Sequence, residues 1–167
     1  IPSFEAYSGM SLEEILGDFL PRASSLEINT LESTRFVWKD GRYEARPLPW
    51  EAQLAPAFGL AVADLDGDGA EDLFISQNFF AVGPFEPRCD AGRGLLLKGD
   101  GRGGLIAMPG QESGLEIYGE QRGCAVGDFD GDGRVDLVVA QNGTVPKLYR
   151  NRAARPGLRV RLAGPPG

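Results

Sequence analysis

Phe58-Gly-Leu-Ala-Val-Ala-Asp-Leu-Asp-Gly-Asp-Gly-Ala-Glu-Asp-Leu-Phe-Ile-Ser-Gln-Asn78 returns 64 residues later, without a gap, as Arg122-Gly-Cys-Ala-Val-Gly-Asp-Phe-Asp-Gly-Asp-Gly-Arg-Val-Asp-Leu-Val-Val-Ala-Gln-Asn142. Gly59/Gly123, Ala61/Ala125, Val62/Val126, Leu73/Leu137 and Gln77-Asn78/Gln141-Asn142 are identical, as is every Asp between them. An internal repeat of this kind decides the fold before anything else does, because each copy must be one structural unit. In each copy an apolar run of four to six residues precedes an Asp-Gly loop, and another follows it. That is the signature of two strands joined by a tight connection.

The loops read Asp-x-Asp-Gly-Asp-Gly-x-x-Asp, at Asp64, Asp66, Asp68 and Asp72 and again at Asp128, Asp130, Asp132 and Asp136. Four carboxylates within nine residues repel one another unless a cation sits among them. Ca²⁺ takes six to eight oxygens in flexible geometry. The four Asp side chains and one backbone carbonyl, from Ala70 or Arg134, make a suitable set. Glycines at 67, 69, 131 and 133 allow the curl that turns alternate side chains inward. Mg²⁺ fits less well, because it demands near-ideal octahedral geometry and keeps its waters. An EF-hand is excluded: position 12 is Ile75 or Val139, in place of the bidentate Glu, and strands replace the flanking helices. The predicted cofactor is therefore Ca²⁺ at two sites, with the ions acting as structural staples.

Working outward, each copy continues into further short runs. Predicted strands fall at 58–63, 72–77, 94–98 and 103–108 in the first, and at 122–127, 135–140, 145–150 and 157–162 in the second. Residues 79–93, with two prolines and little periodicity, read as an inserted loop. Arg35–Leu48 resembles the end of an earlier unit. Ser11–Leu20 is the one helix candidate, with Ser11 and Glu14 as a capping box and Pro21 as its stop. Four-stranded units at about 60-residue spacing suggest an all-β fold, a partial β-propeller of about two and a half blades with one short N-terminal helix, with a small, non-closed β-sandwich as the alternative. The boundaries expected are 1–25 for the N-terminal segment, 26–54 for the end of a preceding blade, 55–112 and 113–154 for two blades, and 155–167 for a final strand or a following domain.

Bulk properties narrow the function. The 167 residues are 42% hydrophobic and 25% charged, enough for a real core. The eight loop Asp residues exceed the whole net charge of −7, so the acidity is local, and nucleic acid is not an expected partner. No run approaches the roughly 18 apolar residues of a membrane span. The chain opens on Ile1, which reads as a processed or excised piece. There is no histidine, which removes Ser-His-Asp and Cys-His catalysis and the usual zinc sites. Glu112, Glu116 and Glu120 near Tyr118 are the remaining acid–base candidates, but they read as solvated surface, and no enzyme activity is expected. Cys89 and Cys124 leave both a bridge and free thiols open. The amides of Gln77-Asn78 and Gln141-Asn142 are expected to satisfy loop backbone. Trp38, Trp50 and Phe79-Phe80 read as packing residues, with a carbohydrate platform as the alternative.

At the loop residues the sequence resembles the FG-GAP or VCBS repeat family, the blades of integrin α-like propellers. Ala-Val-Gly-Asp128-Phe-Asp-Gly-Asp-Gly-Arg-Val-Asp136 is the closest stretch, and Phe58-Gly59 supplies the "FG" once. The tail Arg155-Pro-Gly-Leu-Arg-Val-Arg-Leu-Ala-Gly164 resembles the start of an ASPIC/UnbV domain, as in bacterial relatives of cartilage acidic protein. The resemblance implies a seven-bladed propeller, calcium ligation by the eight Asp, and an extracellular, periplasmic or cell-surface location. It also implies a protein or glycan interaction role, or packing against the remaining blades. The alternatives are the scaffold of a secreted carbohydrate-active enzyme and a subunit of an extracellular assembly.

Overall fold

The computed structural model describes residues 3–157 and Gly164. The chain divides into two compact units, Ile1–Leu31 and Glu32–Gly167. In the first, α1 (Phe4–Ser8) is capped by the Ser3 side chain, which accepts from the Ala6 amide. In α2 (Leu12–Leu16), Ser11 and Glu14 form the predicted capping box. The expected single helix to Leu20 is cut short at Gly17, whose φ of 49° leaves the helical region. A 3-10 turn then runs over Gly17–Arg22 and carries Pro21 inside it.

The second unit is all-β. β1 (Thr34–Lys39) and β2 (Arg42–Pro47) form a hairpin. Its tip, Asp40-Gly41, has positive φ at both residues, the geometry that matches strand twist in a two-residue loop. Trp38 lies across from Tyr43, with ring centroids 4.9 Å apart. β3 (Ala57–Ala63), β4 (Asp72–Gln77), β5 (Leu95–Gly99) and β6 (Leu105–Met108) form an antiparallel meander in that order. β7 (Glu120–Gly127), β8 (Asp136–Asn142) and β9 (Lys147–Tyr149) form a second one. A short helix, α3 (Gly110–Ser113), lies between the meanders in sequence. The repeat is carried down to its irregularities. The register shifts between Ala57 and Leu60 in one sheet, and between Gln121 and Cys124, 64 residues on, in the other.

β4 is buried on both faces, and side-chain alternation puts its neighbours in different cores. Phe74 joins Ala61, Leu96, Leu115, Ile117, Leu137 and Val139 in the core between the meanders. Ile75 joins Ala52, Leu95 and Leu97 in a second core, against Leu48 from the segment after the hairpin. Fully burying aliphatic or aromatic side chains of this size contributes roughly 1.5–3 kcal/mol each.

The propeller expectation is not met. The described residues form three separate antiparallel sheets of two, four and three strands, and these do not close into a ring or barrel. Closure requires every sheet to pack between two neighbours. Among the described residues the β7–β9 sheet packs through one face, while Gly123, Ala125, Val138, Ala140 and Leu148 on its other face are exposed. The all-β composition and the short N-terminal helical segment agree with the sequence reading. The strand expected at 157–162 lies outside the described residues, apart from Gly157, which is not in a strand. Among the described residues, no helix is long and apolar enough to cross a membrane.

Candidate metal centre

Both Asp loops connect the first two strands of a meander, β3 to β4 and β7 to β8. The last Asp of each is the first residue of the second strand and is nearly fully buried. Burying a carboxylate is costly unless its oxygens are hydrogen-bonded, and here two backbone amides meet each one. Asp72 accepts from Leu65 N at 2.9 Å and from Gly99 N at 2.9 Å. Asp136 accepts from Phe129 N at 2.9 Å and from Asn151 N at 2.8 Å. The same carboxylate therefore ties the loop to the end of the third strand in the first copy and to the residue two past the third strand in the second.

The first Asp organises the curl. Asp64 accepts from the amides of Gly67, Asp68 and Gly69, and Asp128 from that of Gly133. The glycines take φ of 76° to 91° at Gly67, Gly69, Gly131 and Gly133, so the curl could not be built from ordinary residues without strain. Asp64, Asp66 and Asp72 come together with ligand oxygens all within 4.8 Å of one another, and so do Asp128, Asp130 and Asp136. Each triad is a donor set that can hold a divalent cation. The chemistry is hard oxygen throughout.

Asp68 and Asp132 are predicted ligands that stand outside these triads. Side-chain cations hold them. Lys98 contacts Asp66 and lies 3.0 Å from Asp68. Arg134 lies 2.8 Å from Asp132 and donates through Nε to the Ala154 carbonyl. Arg150 pairs with Asp130. The Ala70 amide and the Lys98 ammonium hold the Asp68 carboxyl below the usual carboxylate range, and Arg150 does the same for Asp130. Ala70 and Arg134 occupy the seventh loop positions, and their amides donate to Asp68 and Asp132. The Lys98 ammonium supplies positive charge among the first loop's carboxylates.

Sequence reasoning missed the strap over the loops. Asn151 donates from its amide nitrogen to Leu65 O at 2.6 Å and to Val135 O at 3.1 Å, so one side chain joins both loops. The Gly157 amide donates to Gly133 O. A side chain at Gly67 would meet the Arg155 backbone at 2.9 Å. The sequence signal was Asn151 itself, a polar residue two positions past the end of β9.

Other candidates moved. Glu120, read as surface, is buried, accepting from Phe80 N and Asn142 Nδ2 and pairing with Arg122. Asn78 satisfies loop backbone as expected, through Gly92 and Gly119. Gln141 does so through Val145. Among the described residues, the buried Gln77 Nε2 finds no hydrogen-bond partner. Trp38 and Trp50 are exposed, outside both cores, and Trp38 packs edge-on against Tyr43 within the hairpin. Phe79 instead tilts against Phe58, beneath the Arg122 guanidinium. Cys89 and Cys124 are free thiols.

No family model matches the chain, and a search of curated proteins returns no match. The resemblance to FG-GAP or VCBS repeats therefore rested on the loop motif alone, and the open arrangement of the sheets overturns its propeller. The adhesion and glycan-binding roles inferred from a propeller lose that support with it. The ASPIC/UnbV resemblance falls mostly on residues outside those described.

Proposed function

We propose that this chain is a β-sheet domain that binds two Ca²⁺ ions, one in each Asp loop. The ions serve as structural cross-links between loop and sheet and take no part in a reaction. One observation carries the reading: two oxygen-only Asp triads, each within 4.8 Å, recur at equivalent places in two copies of one unit. Each triad needs additional oxygens to reach the six to eight that Ca²⁺ takes. Asp68 and Asp132 supply one more apiece when they swing inward, the carbonyls of Ala70 and Arg134 another, and water the rest. A shell completed by one swinging side chain per loop suits Ca²⁺, whose geometry is flexible, better than Mg²⁺. The buried fourth Asp anchors the ion to the sheet, so binding stabilises the folded state. A structural role is also consistent with the fate of the acid–base candidates, of which Glu120 is fully engaged in hydrogen bonds and an ion pair.

Thermal melting tests this. A ligand present at one hundred times its Kd and bound only to the native state adds about 2.7 kcal/mol per site. In a domain of this size each kcal/mol corresponds to about 2–4 °C. Calcium added to EDTA-treated protein is expected to raise the Tm by about 10–20 °C, with Mg²⁺ giving much less. An unchanged Tm would sink the proposal.

A further inference from the structure

The two sheets place a basic side chain at the same position beside each acidic loop. Leu97 on β5 pairs with Leu73, and Tyr149 on β9 pairs with Leu137, the equivalent of Leu73 in the repeat. The next residues, Lys98 and Arg150, are therefore register equivalents. The amides that follow them, of Gly99 and Asn151, make the same bond to the buried Asp72 and Asp136. Nothing in the 64-residue sequence repeat predicts this, because Lys98 and Arg150 are 52 residues apart and lie in segments of different length. Both cationic heads settle on the third loop residue, Lys98 on Asp66 and Arg150 on Asp130. These Asp residues belong to the triads. Lys98 also engages Asp68, whereas the corresponding Asp132 is held by Arg134.

We propose that Lys98 and Arg150 are built-in counter-cations that a metal ion must displace, so that they stabilise the metal-free loops and lower their affinity for Ca²⁺. The inference rests on the calcium reading above and adds to it the residues that set the affinity. A carboxylate cannot serve both charges at full strength, because an ammonium and a divalent ion a few ångströms apart repel each other. Lys98 has somewhere to go. It lines, with Asp68 and Asp100, an open cavity of about 510 Å³ beside the loop. Its four-carbon stem lets the head swing into water, where it is strongly hydrated. Arg150, also half-exposed at its side chain, can do the same. Exchange of one cation for another keeps the loops from ever holding four bare carboxylates.

Two opposite effects distinguish this from a purely structural ion pair. Lys98→Met keeps the stem and removes the charge. It is expected to lower the Tm in EDTA and, in calorimetric titration with Ca²⁺, to tighten one of two sites by about five- to tenfold, the scale of one unit charge acting at about 4 Å through water. Arg150→Met is expected to do so at the other site, and Lys98→Arg to behave as the unmodified chain. If the unmodified chain binds two Ca²⁺ but Lys98→Met leaves the affinities unchanged or weaker, the exchange is overturned and the calcium reading stands. If the unmodified chain binds no Ca²⁺, both are overturned.

Discussion

At the scale of the residue, the buried ends of the two loops do most of the work. Asp136 holds the amides of Phe129 and Asn151, and removing it leaves both without their acceptor. Asp136→Ala is expected to cost about 1–3 kcal/mol even in EDTA, the scale of buried donors left unpaired. Urea unfolding without metal checks it, and an unchanged midpoint would mean that the carboxylate matters only as a ligand. Glu120 makes a second case. The Phe80 amide, then Asn142 and Arg122, hold its carboxyl below the ordinary value of 4.5. A group whose pKa is lower in the folded state contributes stability above its unfolded value and loses it as the pH falls through the folded one. Stability should therefore decline below about pH 4.5, and less steeply in Glu120→Gln; equal slopes would remove Glu120 from the account. The sequence could name Asp136, because it belongs to a motif. It could not name Glu120, because only the approach of Phe80 and Asn142, 40 and 22 residues away, turns a surface-like residue into a buried one.

At the scale of the element, strands and loops were legible because they are local. Alternation and Asp-Gly punctuation placed β3, β4, β7 and β8 to within a residue or two. The N-terminal helix was read too long, since a capping box marks a start but Gly17 decides the end. The contact between sheets was not legible at all. A Cβ on Gly59 would lie 2.8 Å from Ser76 Oγ and 3.0 Å from the amide of Cys124. Gly59 is thus needed where β3 meets β7. Its repeat partner Gly123 would meet nothing within 4 Å, because among the described residues no sheet covers that face. Identical residues in a repeat have different duties. Gly59→Ala is expected to destabilise by about 1–3 kcal/mol, the cost of overpacking, while Gly123→Ala stays near neutral. Parallel urea curves separate them, and equal midpoints would contradict the packing described.

At the scale of the whole molecule, the repeat established what one unit looks like but not how many units meet or whether they close. Periodicity describes a unit, whereas closure depends on faces that come from elsewhere in space. Here one meander packs on another, and the outer face of the second stays open. What survives the change of architecture is the chemistry of the two loops, since Asp spacing and Asp-Gly curls are local properties. The loops face a common strap: Asn151 joins both, and the Arg155 and Gly157 backbones lie against Gly67 and Gly133. The most direct test of the central claim is calorimetric titration of EDTA-treated protein with Ca²⁺, followed to saturation. The account predicts two ions per chain, falling to one in Asp128→Ala with the other site retained. No uptake of Ca²⁺, or a stoichiometry of two that persists in Asp128→Ala, would contradict it.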